Sequence, residues 1–467
     1  MQLYNTLSKT VEELTPQTPG EVKIYTCGPT VYDYAHVGHW FTYVRTDILV
    51  RALKAQGLEP NWVMNITDVG HLVSDADDGE DKLEKGARRE GKTAWEVAEF
   101  YTKDFLSEMQ QLNITAPTHI VKATDHIAEQ IALVQVLEDK GFTYVIDDGV
   151  YYDTSKFPKY ASFAQLDLDE QQAGARVGFN SQKRNASDFA LWKFSPKEGT
   201  RDMEWDSPWG KGFPGWHIEC SAMSMKYLGD TLDIHTGGID HIPVHHTNEI
   251  AQSEAATGKQ FAKHWLHTNH VLVDGEKISK SLGNGVRLPE LIAKGISAEA
   301  FRILVLESHY RSQSKFSIDG AKAASARLKD LRAMAALKWQ PRDHAIDGTS
   351  FSFRDVPEEI KYMLADDLNT PGIMAYLSNV SKQIQAVLLW RKSIPHFDYL
   401  LTELDILLGL QLSQLPDITD EQRQLIANRD SARENKEWAE SDRLRAELFE
   451  QGIEVRDTEH GTIWQYR

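Results

Sequence analysis

The segment Tyr34-Ala35-His36-Val37-Gly38-His39 sets two imidazoles three residues apart around a glycine, where an apolar helical pattern begins. A helix N-terminus favours phosphate, and two imidazole N–H groups there can donate to phosphate oxygens as charge builds on them. Capping or core histidines would give the same pattern. Far downstream, Lys277-Ile278-Ser279-Lys280-Ser281 brackets a serine with two lysines ahead of Leu282-Gly283-Asn284-Gly285. A mobile loop of this kind can close cations over a triphosphate, neutralise departing pyrophosphate and reopen. Alone it reads as a basic surface loop, but an early HxGH paired with a late KISKS is far more specific than either. The chain has two cysteines, Cys27 and Cys220, and His245 with Glu249 is spaced to share one face of a helix. Two thiolates, an imidazole and a carboxylate form the sort of set that binds zinc. Two buried thiols beside an exposed helical pair are the alternative.

These side chains need a frame. EVKIYTCG at 21–28 reads as a strand stopped by Pro29, a helical pattern runs from about Val37 to Gln56, and NWVMNIT at 61–67 reads as a second strand. Strand, helix and strand at that spacing predict a parallel sheet with nucleotide chemistry at its C-terminal edge. The charged stretch from His71 to Gly91 reads as a solvated loop entering a helix. Residues 95–140 read as helices, and 141–214 hold short strand-like runs such as YVIDDGVYYD, the mark of an insertion. Parallel character resumes with LDIHTGG at 232–238 and HVLVDG at 270–275. The predicted class is α/β: a doubly wound, Rossmann-like parallel sheet split by an insertion. After about Arg311 the periodicity over 320–340, 357–392 and 397–411 turns helical, and a last small unit begins after Pro416.

Composition narrows the setting. A chain of 467 residues has room for several domains, and its 41% apolar content is ample for buried cores. No run of about eighteen uncharged apolar residues occurs, and the N-terminal segment lacks a signal peptide's basic flank and apolar core. The expectation is a protein that neither enters a membrane nor is secreted. Two cysteines cannot build a disulfide framework, which fits a reducing, cytoplasmic compartment. With 51 basic against 69 acidic residues the net charge is −18, so nucleic acid would have to meet a restricted basic face.

Taken together, these motifs resemble a known family. HVGH and KISKS look like the HIGH and KMSKS signatures of class I aminoacyl-tRNA synthetases. YTCGPTVYD at 25–33, NITD at 65–68, KRNASDFALWK at 183–193, GWHIECSAMS at 215–224 and HHTNEIAQSE at 245–254 narrow the resemblance to cysteinyl-tRNA synthetases. ARENKEWAESDRLRAEL and IEVRDTEHGTIW resemble that family's anticodon-binding domain, so the resemblance spans nearly the whole chain.

The resemblance implies ATP-dependent activation of L-cysteine to cysteinyl-adenylate and its transfer to the 3′-terminal adenosine of tRNA(Cys). It implies that His36 and His39 serve the phosphate, that Lys277 and Lys280 close over pyrophosphate, and that magnesium accompanies ATP. Cys27, Cys220, His245 and Glu249 are implied as ligands of one zinc ion that reads the substrate thiolate. Thr67, Trp216 and His235 become walls of the amino-acid pocket, and Asp240 a carboxylate for the substrate ammonium. Gly28, Gly237 and Gly238 fall beside the nucleotide. Arg433, Trp438, Asp442 and Asp457 are implied as anticodon contacts, and the helical spacing of Arg429, Arg433 and Lys436 reads as a basic face that tracks phosphates. The expected domains are 1–114 and 215–311 for the split catalytic sheet, 115–214 for the insertion, 312–415 for a stem-contact and helical bundle, and 416–467 for anticodon binding, in a monomer. Three departures stand out: VGHLVSDADDGEDKLEK is longer than the family's usual DDKIIK stretch, Thr236 opens the glycine triplet, and Thr247 replaces a frequent acid. A paralogue that joins activated cysteine to an amino sugar would share both signatures and the zinc set but lack the C-terminal unit.

Overall fold

The computed structural model describes residues 1–70, 81–165, 180–196, 201–278, 282–340, 352–388, 396–458 and 461–467. The strand Glu21–Thr26 buries Val22, Ile24 and Tyr25 completely, as expected where a parallel sheet is covered on both faces. It stands in the middle of five parallel strands, in the order Ala262–Thr268, Leu232–Gly238, Glu21–Thr26, Glu59–Ile66, His119–Lys122. The chain builds outward from Glu21–Thr26 on one side, then returns to add the remaining two strands on the other. That reversal falls between Glu21–Thr26 and Leu232–Gly238, and an open α/β sheet binds its ligands in the crevice at such a point. Cys27 and Gly28 follow the first of these strands, and Gly237 and Gly238 end the second.

The first crossover helix, Val37–Ala55, buries Val37, Trp40, Phe41, Val44 and Ile48, and also Tyr43, Leu49, Val50, Ala52 and Leu53, so it is covered on more than one face. The insertion forms a four-stranded antiparallel sheet in the order Thr143–Ile146, Gly149–Tyr152, Phe189–Phe194, Gly212–Pro214. Val150, Tyr152, Leu191 and Trp192 of that sheet share one core with Val63, Ile218 and Trp265 around the parallel sheet. The antiparallel sheet is therefore packed into the same core as the parallel one.

Two sequence expectations are corrected. Residues 95–140 are not all helical, because His119–Lys122 is the edge strand; it buries only Val121 and lacks the apolar run of an interior strand. The fifth parallel strand is Ala262–Thr268, not 270–275, and Val271–Val273 stands outside this sheet. In AKHWLHT two histidines and a lysine disguised a buried strand.

The chain divides into two compact units: Met1–Leu272 with Lys277–Leu288 and Tyr310–Gln313, and Val273–Glu276 with Pro289–His309 and Ser314–Arg467. The second contains the helices Ile318–Ala336, Asp355–Ala365, Thr370–Leu388 and Phe397–Leu408. Leu400, Leu401, Leu404, Leu407 and Leu408 are fully buried, which accounts for the helical period read at 397–411. The C-terminal part pairs the helices Asp420–Glu434 and Trp438–Glu450 with an antiparallel hairpin, Ile453–Thr458 and Gly461–Tyr466, over Leu448, Ile453, Val455 and Trp464. Among the described residues no helix is long and apolar enough to cross a membrane.

Candidate active site and metal-binding cluster

His36 is the N-cap of Val37–Ala55. Its Nδ1 accepts from the Gly38 N–H at 3.2 Å, and His39 Nδ1 accepts from the His36 N–H at 3.2 Å, a reciprocal capping box. With both Nδ1 atoms accepting, each neutral ring carries its proton on Nε2. The rings stack with centroids 3.8 Å apart and planes 21° from parallel. Capping and phosphate donation are thus compatible: one nitrogen of each ring serves the backbone and the other is a donor at a helix N-terminus.

The late motif meets the early one. His36 Cε1 and Ile278 Cδ1 flank Gly38 so closely that a Cβ there would lie 3.0 Å from each. The Val37 N–H donates to Val286 O at 2.8 Å, so the chain leaving KISKS rests on the start of the helix. Lys277 is exposed, and its carbonyl accepts from Asn284 Nδ2 at 3.2 Å. Lys280 lies outside the described residues.

Beside the crevice lies a buried donor cluster. The ligand atoms of Cys27, Cys220, His245 and Glu249 are all within 4.8 Å of one another, and so are those of Cys27, His235, His246 and Glu249. Cys220 sits in the helix Trp216–Leu228, and a π-helical turn, Ile242–His246, feeds the helix Thr247–Thr257 that carries Glu249. The wider turn brings the adjacent His245 and His246 both inward. His245 Nδ1 lies 2.9 Å from His217 Nδ1, with its Nε2 3.9 Å from Glu249 Oε1. His246 Nδ1 meets His267 Nε2 at 2.8 Å, His267 Nδ1 meets Thr6 Oγ1 at 2.8 Å, and His246 Nε2 is 3.4 Å from Cys27 Sγ.

Burial sets the electrostatics. It pushes the Cys27 thiol and the Glu249 carboxyl well up, and holds the His246 and His267 imidazoles well below their usual range. The hydrogen bond with Cys27 lowers the Cys220 pKa, but burial and Glu249 leave it raised. His235 is held down to about 3, again by burial. Without a cation the cluster would keep two protonated thiols and a protonated carboxyl in a dry site; a soft divalent ion reverses that preference. Glu249 Oε2, buried, makes no well-aligned hydrogen bond among the described residues, although His235 Nε2 lies 3.1 Å from it. The donor set and this under-satisfied oxygen fit a zinc ion.

The sequence picked out four of these donors. It put His235 in the substrate pocket; the structure buries it completely, stacked on Trp265 at 4.5 Å, with Nε2 3.1 Å from Glu249 Oε2. His246, His217 and His267 were missed, although HIPVHH at 241–246 was a visible signal.

Gly28, Thr67, Gly237 and Gly238, expected beside the substrates, lie at the ends of neighbouring parallel strands. A Cβ on Gly28 would fall 1.6 Å from Asn65 O, so only glycine fits, and its N–H donates to Asn65 Oδ1 at 2.8 Å. Thr67, buried, accepts from Asn65 Nδ2 at 3.0 Å. A Cβ on Gly237 would come within 2.7 Å of His246 Cε1, and one on Gly238 within 2.4 Å of Asp240 Oδ1. These glycines make room for the histidine cluster and for the exposed Asp240. Trp216, half-buried, packs on His245 with centroids 4.6 Å apart. Thr236 Oγ1 donates to Thr26 Oγ1 at 2.9 Å and Thr247 Oγ1 to Ile242 O at 2.7 Å, so both departures serve local backbone and strand contacts.

In the C-terminal part, Arg429 is buried and donates Nη1 and Nη2 to the two carboxylate oxygens of Asp457, each at 2.8 Å. That corrects its reading as a phosphate tracker. Arg433 also reaches Asp457 Oδ2 at 3.1 Å and lies 6.0 Å above the ring of Trp438, which is 57% exposed. Asp442 is exposed, and Lys436 follows the end of its helix in left-handed backbone at φ +60°. The Arg429 hydrogen bonds hold the Asp457 pKa down to about 2. A depressed carboxylate stabilises the folded form above its unfolded pKa of about 4 and loses that contribution as pH falls toward 2. Asp457→Asn is expected to lower stability at neutral pH by about 1–2 kcal/mol, allowing for solvent screening, and to flatten the acid limb of a thermal-melt pH series over that window.

Two family models match the chain. Residues 13–326 match the family model for the class I (C) tRNA synthetase catalytic domain, and residues 415–467 match that for the cysteinyl-tRNA ligase anticodon binding domain. Cysteine–tRNA ligase 1 of Burkholderia lata is 45% identical over 466 residues, covering 99% of this chain and 96% of its own. Cysteine–tRNA ligase of Treponema denticola is 42% identical over 497 residues, covering 100% and 99%. In fold alone, the chain is similar to Mycobacterium tuberculosis methionyl-tRNA synthetase in complex with methionyl-adenylate: TM-score 0.60 at 14% identity, covering 85% of this chain and 93% of that one.

Proposed function

The chain belongs to the cysteine–tRNA ligase family of class I aminoacyl-tRNA synthetases, and from that premise we propose how its residues carry out the two steps. The family's reaction is ATP-dependent aminoacylation of tRNA(Cys). The cysteine carboxylate attacks the α-phosphate of magnesium-bound ATP, pyrophosphate leaves, and the adenylate passes cysteine to the terminal adenosine of the tRNA. No side chain forms a covalent intermediate; the protein positions the reactants and stabilises charge. His36 and His39 donate through Nε2 to phosphate oxygens, Lys277 and Lys280 close over pyrophosphate, and Asp240 takes the substrate ammonium. Gly28, Thr67 and Trp216 shape the pocket.

The observation that carries the finer reading is the buried quartet Cys27, Cys220, His245 and Glu249, its donor atoms within 4.8 Å of one another beside the crevice. These four residues would hold zinc, which when bound supplies ligation selective for a thiolate over a hydroxyl, a distinction that an apolar pocket makes poorly. His217 orients His245 through its Nδ1, a support that typically tunes a metal site strongly.

Residues 1–114 and 215–311 are proposed as the split catalytic domain, 115–214 as its insertion, 312–415 as the stem-contact and helical bundle, and 416–467 as the anticodon domain, with Arg433, Trp438, Asp442 and Asp457 facing the anticodon. The C-terminal match at 415–467 favours tRNA over an amino sugar as acceptor. A cytoplasmic monomer is the proposed state.

The test is amino-acid-dependent exchange of pyrophosphate into ATP, run across the twenty amino acids with and without zinc chelation. Exchange with cysteine alone, lost on chelation and restored by zinc, is expected. Exchange with serine at a comparable rate would overturn the zinc-selection reading, and no exchange with any amino acid would overturn the catalytic one.

A further inference from the structure

The helix Ala94–Gln111 buries a carboxylate that the proposed chemistry does not use. Glu108 is 2% exposed; its Oε2 accepts from the Trp40 indole N–H at 2.7 Å, and its buried Oε1 has no hydrogen-bond partner among the described residues. Trp40 follows His39 directly, is fully buried, and stacks on Phe105, one turn from Glu108, with centroids 5.0 Å apart. The chain leaving KISKS holds the same helix start: Val286 O accepts from the Val37 N–H, and Arg287 lies 4.5 Å above the Tyr34 ring. The HVGH segment is thus gripped both by Glu108 and by the exit of the late motif.

We propose that Glu108 is a positioning residue for adenylate formation: through Trp40 it sets the orientation of the signature helix start, and its ionised form holds His36 and His39 aligned with the phosphate. The proposal rests on the reading of HVGH as the phosphate site. The charged groups acting on Glu108 are Asp104 on its own helix and Arg287 from the facing segment; Tyr43, packed on Trp40 and Phe105, is kept protonated by burial. Burial, reinforced by Asp104, pushes Glu108 up to about 7, while the Trp40 hydrogen bond and Arg287 pull the other way. Above that value the carboxylate accepts a charge-assisted hydrogen bond from Trp40; below it the neutral acid accepts a weaker one. Activation therefore rises with pH through this range.

Glu108→Gln keeps the shape and an acceptor but removes the charge, and Trp40→Phe keeps the ring but removes the donor. The experiment is cysteine-dependent pyrophosphate exchange by the zinc-loaded full chain across about pH 5.5–8.5, reported as the ratio of wild type to Glu108→Gln, in which titrations common to both cancel. The expected kcat ratio is near one at the acid end and about fivefold at the alkaline end, with a midpoint near 7 and the KM for cysteine unchanged. In a Trp40→Phe background the same comparison is expected to be flat. A flat ratio in the wild-type background, or an equal loss at every pH with a raised KM, would overturn the proposal while His36→Asn still lowered exchange at least about a hundredfold. Exchange undiminished by His36→Asn would overturn the HVGH reading itself and the proposal with it.

Discussion

Replacing Cys220 with serine is expected to strip zinc from the purified protein and to lower cysteine-dependent pyrophosphate exchange at least about a hundredfold. The substitution is nearly isosteric, and Cys220 is 1% exposed inside the helix Trp216–Leu228, so the core around it has little reason to repack. What changes is the ligand. A serine hydroxyl stays protonated and hard where a thiolate would be ionised and soft, and only Cys27, His245 and Glu249 would remain of the four donors that would hold the ion. Two measurements check this: zinc per chain by metal analysis, and the intensity of thiolate-to-cobalt charge-transfer absorption after cobalt loading. Full zinc content with normal exchange would remove Cys220 from the site. The second donor set, Cys27, His235, His246 and Glu249, makes a sharper contrast. If it held the ion, Cys220→Ser would retain zinc and His246→Gln would lose it.

That ambiguity shows where sequence reading stopped. Cys27 was legible because it ends a β-rich run at Gly28-Pro29, and His245 with Glu249 was legible as a helical pair. His246 was not, because an α-helix turns adjacent residues about 100° apart, whereas the π-helical turn Ile242–His246 leaves both histidines buried. The same kind of limit explains the strands. Glu21–Thr26 and Glu59–Ile66 announce themselves by β-rich runs, whereas His119–Lys122 at the sheet edge buries one residue and Ala262–Thr268 carries His264 and His267 inside an apolar run. Arg429 illustrates a third limit: its helical spacing with Arg433 suggested an exposed basic face, but the bidentate partner that buries it, Asp457, is twenty-eight residues away in sequence. Periodicity reports which face an element turns inward and is silent on which distant side chain meets it.

His36→Asn is expected to lower kcat for cysteine activation by about a hundred- to a thousandfold, with little change in the KM for cysteine and almost none in thermal stability. Asparagine separates the two tasks that His36 performs. As the N-cap it accepts from the Gly38 N–H, and asparagine is among the best residues at that position, so the helix Val37–Ala55 keeps its start. Alanine would not do this; it would cost about 1 kcal/mol of cap and confuse instability with lost chemistry. What asparagine cannot supply is the Nε2–H of an imidazole whose Nδ1 is already engaged, a donor carried further from the backbone and stacked 3.8 Å from the His39 ring. The lost interaction is one that strengthens only as charge builds on the phosphate, so the deficit belongs in kcat rather than in substrate binding. Single-turnover adenylate formation with saturating cysteine and ATP measures it directly. A normal single-turnover rate would assign His36 to capping alone and overturn the reading of HVGH as the phosphate site.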